Sequence, residues 1–220
     1  MDVESIFNEL VKIDEKLVFT DEDVAFLIEH SANEDAENRG FIAELLINVK
    51  TEESKDTLLR LTTDESWIVR ASAYDSLSVF DDEKVAEYLK ERIKKEKRTT
   101  AKSYAIMSLG DILKRINRKT KQDISFLKEN EEKEKSTGVK LACYYSLYLL
   151  GEKEYIHKII KEMDNRMYTL RCACINTLME IVDKENKDII IDALEKRRFT
   201  EKVPAVLSGI KELIKKAKMI

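Results

Sequence analysis

The stretch Trp67–Phe80, WIVRASAYDSLSVF, carries the pattern on which the rest of the chain is built: a basic residue, Arg70, a small residue three further on, Ala73, and a leucine seven further on, Leu77. With the basic residue as position zero, matching sites fall at Arg39, Arg70, Lys102, Lys140 and Arg171, and Val203 opens a degenerate last copy. The intervals are 31, 32, 38, 31 and 32 residues. A repeat of this length signals stacked helical hairpins, and recognising it comes before assigning single elements.

Three positions on from zero stand Ile42, Ala73, Ala105, Cys143, Cys174 and Val206. Seven on stand Leu46, Leu77, Leu109, Leu147, Leu178 and Ile210, and ten on Val49, Phe80, Ile112, Leu150, Ile181 and Leu213. Offsets of three, seven and ten lie on one side of a helix that turns about 100° per residue, so each copy holds a helix with one buried stripe, the B helix. Six on, Leu45, Ser76, Ser108, Ser146, Thr177 and Gly209 are nearly all small, which suits close approach of two helix backbones. Thr99, Thr137 and Thr200, three before zero, are expected to cap the B helices, with Asp64 and Ser66 or Asp164 and Asn165 in other copies.

Amphipathic segments between the B helices predict A helices over 55–61, 83–95, 123–128, 154–163 and 188–195. On the longest, Glu87, Glu91, Lys90 and Lys94 are expected on the solvent side, away from Val85, Leu89 and Ile93. Two helices precede the strong copies, over 3–16 and 21–30. A single copy cannot bury enough apolar surface to fold alone, so the copies must stack, with 3–16 and 210–218 as end caps.

Composition agrees. The chain has 220 residues, 43% of them hydrophobic, with one Pro and five Gly, which favours helix over turn-rich sheet. The net charge of −4 hides a gradient: residues 1–66 hold 18 acids and 6 bases, and 67–220 hold 25 acids and 33 bases. An acidic amino-terminal end repels nucleic acid and attracts basic partners, or is simply an unevenly charged solvated surface. Cys143, Cys172 and Cys174 lie inside helical patterns and read as free thiols of a reduced compartment. MDVESIFNEL lacks a signal-peptide pattern, and no apolar run reaches a membrane span, so the expectation is a cytoplasmic protein with no membrane partner.

Asp64, Val69, Arg70, Ala73 and Leu77 together resemble the HEAT repeat, in which a turn Asp and a Val-Arg pair open the second helix. The similarity covers roughly 20–215, with 1–19 as an amino-terminal capping helix. It departs from the pattern at an insertion near 114–122 and in the last copy, where Val203–Pro204 replaces the basic pair. The resemblance implies an all-α fold, a right-handed alpha-alpha superhelix of about five to six helical hairpins in a single domain over 1–220. It also implies that Asp64 and Arg70 belong to a structural ladder between neighbouring repeats.

Residue chemistry offers no catalytic constellation. His30 and His157 are far apart in sequence, and Cys172 and Cys174 point about 200° apart around a helix, which is wrong for shared metal coordination. No phosphate-binding glycine loop or nucleophile elbow occurs. The run Glu131–Lys135 reads as a solvated helix end or loop. No cofactor, metal site or catalytic residue is therefore expected.

The side of the B helices opposite the buried columns carries Met107, Leu141, Tyr145, Tyr148, Cys172 and Met179, flanked by Tyr74, Ile106, Tyr144 and Ile175, the latter four suited to lateral packing between helices. Such a Tyr- and Met-bearing surface suits an adaptable protein interface, and in HEAT proteins the B helices usually line the concave side. Met107, Leu141, Tyr145, Tyr148 and Met179 are the candidate contacts. The leading reading is a protein-binding scaffold or adaptor, with an inhibitor or immunity-type protein as a variant. Alkylpurine DNA glycosylases built of HEAT-like repeats are the enzyme alternative, and bilin lyases a weaker one. The cations Lys114, Arg115, Arg118, Lys119 and Lys121, and Lys196 to Arg198, could steer an acidic partner or simply face helix carboxyl ends.

Overall fold

The computed structural model describes all residues from Met1 to Ile220. It holds thirteen α-helices and no strand: α1 Val3–Asp14, α2 Asp21–His30, α3 Ala36–Leu45, α4 Glu52–Leu61, α5 Trp67–Leu77, α6 Glu83–Lys95 and α7 Thr99–Arg115, then α8 Lys121–Lys133, α9 Thr137–Leu149, α10 Tyr155–Lys161, α11 Tyr168–Ile181, α12 Lys187–Arg198 and α13 Pro204–Met219. After α1, the even-numbered helices are the A helices and the odd-numbered ones the B helices, giving six hairpins. No helix is long and apolar enough to cross a membrane.

Packing divides the chain into two compact units, 1–119 and 120–220. In the first, α1 is followed by three hairpins whose B helices pack most extensively on one another, α3 on α5 and α5 on α7. In the second, α9, α11 and α13 pack in the same succession, each also against its own A helix. The three apolar columns are buried in each of the first five copies, and a fully buried Leu or Ile contributes roughly 1.5–3 kcal/mol. Tyr74, Ile106, Tyr144 and Ile175 at offset four are buried as well.

Local chemistry sets the helix ends. Three A helices open with reciprocal capping boxes, Thr20 with Asp23, Thr51 with Ser54 and Thr120 with Asp123. Asn117, at φ 53°, and Gly151, at φ 100°, follow the ends of α7 and α9 in left-handed conformation. There the Arg118 N–H donates back to the Leu113 carbonyl at 2.9 Å and the Glu152 N–H to that of Leu147 at 3.1 Å, closing each helix.

Four expectations change. The B helices begin, rather than cap, at offset minus three: Thr99 and Thr137 are first helical residues, and Thr200 lies outside α13. In the last copy Val206, Ile210 and Leu213 are buried as expected, but α13 starts at Pro204, so by the start of the other B helices position zero is Leu207, and Ile214 and Ala217 are buried as well. The extra residues near 114–122 are shared between helix ends and a connection: 114–115 end α7, which reaches 17 residues, 116–120 join the helices, and 121–122 open α8. Lys90 is buried instead of facing solvent, with its ammonium 3.0 Å from Glu87.

Candidate protein-binding face

One recurring device closes the turn before every B helix. Six residues before position zero stands a side chain with an acceptor oxygen: Asn33, Asp64, Glu96, Glu134, Asn165 and Glu201. Each accepts the backbone N–H two residues further on, from Asp35, Ser66, Arg98, Ser136, Met167 and Val203, at 2.7 to 3.1 Å. Where position zero is arginine, its Nη1 donates to two carbonyls of its own turn: Arg39 to Asn33 and Glu34, Arg70 to Asp64 and Glu65, Arg171 to Asn165 and Arg166. The remaining prongs, Nε and Nη2, grip the turn acid of the next repeat at 2.7 and 2.9 Å: Arg39 on Asp64, Arg70 on Glu96, Arg171 on Glu201. A planar five-donor guanidinium can do both at once, which an ammonium cannot.

Asp64 and Arg70 thus sit on successive rungs, each paired through its side chain with a different neighbour. Burial alone would push these carboxylates up, yet the guanidinium of Arg39 holds Asp64, and that of Arg70 holds Glu96, below the ordinary range. Glu201, also burdened by burial, is held down to about 2 by Arg171, the Val203 N–H and Arg197. Glu96 and Glu201 escape a motif search because glutamate stands where the HEAT-like pattern has aspartate. Their signal is the fixed interval of six residues to the next position zero, visible for Glu201 only once the last copy is set on Leu207.

With these residues spent on turns, the B-helix faces remain. In the first unit the face of α3, α5 and α7 presents Phe41, Glu44 and Ile47, then Ser72, Asp75 and Val79, then Tyr104, Met107 and Asp111. Glu44 and Asp75 occupy offset five, where the next copy has Met107, and both are exposed. The Ser72 hydroxyl donates to Glu44 Oε1 at 2.9 Å. A Cβ on Gly40 would make only ordinary contacts, 3.8 Å from Ile68 and 4.0 Å from Ser72 Oγ, so the packing of α3 on α5 does not depend on glycine there. Asp75 is exposed but partly desolvated by the flanking helices and lies near Asp111 and Glu44, which together raise its pKa. Tyr104, 39% exposed, is pushed up by the same desolvation and by Asp75 and Glu44. Glu44 was legible only as part of the acidic excess of 1–66, and Asp75 and Asp111 lie outside that stretch.

The second unit differs. Leu141, Tyr145 and Tyr148 are buried, and the Tyr148 hydroxyl accepts from Asn186 Nδ2 at 2.7 Å while Lys153 lies 4.4 Å above its ring. Cys172 and Met179 are half-buried, and the Lys216 ammonium donates to the Met179 carbonyl at 2.7 Å. Tyr144 and Tyr155 pair at 5.8 Å, and Glu131 accepts from the Tyr155 hydroxyl at 2.9 Å and binds Lys158 at 2.8 Å, so that acid helps tie α8 to α10. Desolvation pushes Tyr144 up to about 12. Cys174 is buried, its thiol donating to the Ile159 carbonyl at 2.9 Å, and burial raises its pKa.

Several cations of the two basic patches are already partnered. Arg115 binds Asp81 at 2.6 Å, Arg118 bridges Glu83 and Glu87, and Arg197 joins Glu201 and Asp164. A groove of about 410 Å³ between α10 and α12 gathers His157, Asp192, Lys196 and Thr200, a polar crevice of mixed charge.

Comparison with known proteins agrees with this architecture. The family model described as HEAT repeats matches residues 24–110, a stretch that runs through the three hairpins of the first unit. No curated protein matches the chain. Among solved structures, the complex of CpcE and CpcF of phycocyanin lyase from Nostoc sp. PCC7120 superposes with a TM-score of 0.67 at 14% identity, covering 98% of this chain and 90% of that one. The likeness shows a shared all-α helical-repeat fold along nearly the whole chain.

Proposed function

We propose that this protein is a non-enzymatic scaffold or adaptor that holds a protein partner on its B-helix faces, an inhibitor or immunity-type role being one form of that activity. One observation carries the reading. The repeated polar residues, from Arg39 to Glu201, are consumed in turn closure, so contact with a partner falls to what the B helices leave open. Met107 in the first unit and Met179 in the second, half-buried and flexible, are the direct contacts, while Leu141, Tyr145 and Tyr148 are buried in the second unit and support its surface from within. The structurally similar CpcE and CpcF form a complex with each other, which supports a protein partner. The carboxylates of the first unit's face oppose nucleic-acid phosphate and so disfavour the glycosylase alternative.

Tagged wild-type protein and a Met107→Glu/Met179→Glu variant, purified from native cells, test the proposal. A discrete partner should accompany the wild type and be lost from the variant, whose circular dichroism and melting match wild type. Retention of that partner by the variant refutes it, and salt-sensitive retardation of DNA would restore the nucleic-acid reading.

The likeness to CpcE and CpcF of phycocyanin lyase also supports a second reading, a subunit of a lyase of that kind. Incubation with a bilin and a candidate acceptor protein tests it, and chromophore remaining on the acceptor in a denaturing gel would make this chain an enzyme.

A further inference from the structure

The first unit holds 26 acidic and 19 basic residues, against 17 and 20 in the second, and most of its ladder and A-helix carboxylates have cations on them. Glu44 and Asp75 do not: neither is in an ion pair, and both are exposed on the open face of α3 and α5. Tyr104 stands beside them on α7 with 39% of its surface free, and Phe41, Ile47, Val79 and Met107 give the same face a half-buried apolar floor.

A second, independent feature marks the groove between α5 and α7. Ser108, only 1% exposed, carries the one buried side-chain polar atom that lacks a hydrogen-bond partner. By helical spacing it lies on one stripe of α7 between Tyr104, four residues before, and Asp111, three after, the two α7 residues that interact with Asp75. A buried polar group without a partner is costly, and this one sits on the stripe of α7 that carries Tyr104 and Asp111.

We propose that this face docks a basic, amphipathic segment of a partner protein, with an arginine or lysine seated between Glu44 and Asp75 against the Tyr104 ring and apolar residues on the floor around Met107. The proposal rests on the protein-binding reading and names the partner's chemistry. Two uncompensated carboxylates attract a cation and exclude an anion, and an exposed tyrosine ring adds a cation–π surface suited to a guanidinium. The remaining lone pairs of Glu44, one of whose oxygens already accepts from Ser72, face outward to receive it.

The test uses the full chain and two fluorescein-labelled twenty-residue helical peptides, one with arginines along one face and leucines along the other, the second with every arginine replaced by glutamate. Fluorescence anisotropy should show binding of the arginine peptide alone, weakening as salt is raised. Glu44→Gln/Asp75→Asn should weaken binding by about tenfold or more, and Tyr104→Ala should weaken it while Tyr104→Phe does not. Glu29→Gln/Glu53→Gln, which removes two charges from the A-helix side of the same unit, should change it by less than about twofold.

Several results overturn the proposal: no binding of the arginine peptide, equal loss in the two double variants, or no loss in Glu44→Gln/Asp75→Asn. It also falls if calcium titrates the same two carboxylates more tightly than the peptide, or if light scattering shows a dimer that Glu44→Gln/Asp75→Asn dissolves, since a metal ion or a second copy would then be the occupant. If Glu44→Gln/Asp75→Asn still captures the partner that Met107→Glu/Met179→Glu loses, protein binding stands and a basic partner does not.

Discussion

Replacing Glu201 by glutamine removes one negative charge and little else, because the amide oxygen can still accept the N–H groups of Lys202 and Val203, each now at 2.9 Å. What is lost is the counter-charge to Arg171, whose side chain is 7% exposed against 1% for Glu201. The native carboxyl titrates at about 2 instead of 4.5. At about 1.36 kcal/mol per pH unit of displacement, the folded state gains roughly 3 kcal/mol from ionised Glu201 at neutral pH. Since the folded pKa is depressed, that gain is complete above about 4.5 and is lost as pH falls toward 2. Glu201→Gln should therefore unfold about 3 kcal/mol more easily at pH 7, a fall in melting temperature of roughly 6–12 °C for a chain of this size. The gap from wild type should shrink to roughly 1 kcal/mol at pH 3, where wild type has lost most of the same term. Urea titrations followed by far-ultraviolet circular dichroism at the two pH values measure it. A gap below about 1 kcal/mol at pH 7, or one unchanged at pH 3, refutes the assignment of Arg171–Glu201 as a stabilising rung.

Asp75→Asn should act in the opposite direction, stabilising the first unit by up to about 1 kcal/mol at pH 7, because desolvation and the nearby Asp111 and Glu44 raise the native pKa and so penalise the ionised form. That gain should fade below about pH 4, where the carboxyl is protonated in folded and unfolded chains alike; paired denaturation curves decide it, and equal stability at pH 7 would show that the groove carries no strain of charge. Gly151→Ala should cost about 1–2 kcal/mol, since residue 151 sits at φ 100°, whereas Asn117→Gly at φ 53° should be neutral or stabilising by about 0.5 kcal/mol. Melting curves of the two variants moving in the same direction would contradict the left-handed closure of α7 and α9.

How far the sequence reached can be judged from particular residues. The columns headed by Ile42, Leu46 and Val49 are legible because burial on a helix obeys a fixed angular period, and the structure buries them in each of the first five copies. The register of the last copy is ambiguous because both sets, Val206, Ile210 and Leu213 and then Ile210, Ile214 and Ala217, have the same spacing and both are buried. Only the start of α13 at Pro204 and the grip of Arg171 on Glu201 separate the two registers. Offset arithmetic placed Leu141, Tyr145 and Tyr148 on a helix side away from the core columns, and the structure buries all three. A side that is polar-facing in one copy becomes interior when neighbouring helices close over it, and pairwise spacing within one helix holds no term for that.

The sequence by itself therefore determined the all-α class, the hairpin repeat and the position of each arginine clamp, because these follow from interactions within about one helical turn or from a period counted along the chain. Only the tertiary structure decided which acid each arginine grips, 25 to 30 residues away, and which carboxylates stay unpaired on an open face. Arg70 could have paired with Asp64 on its own turn by proximity in sequence. Packing of α5 against α7 carries Glu96 to its fork instead, which leaves Asp64 to Arg39 and leaves Glu44 and Asp75 with no cation of this chain.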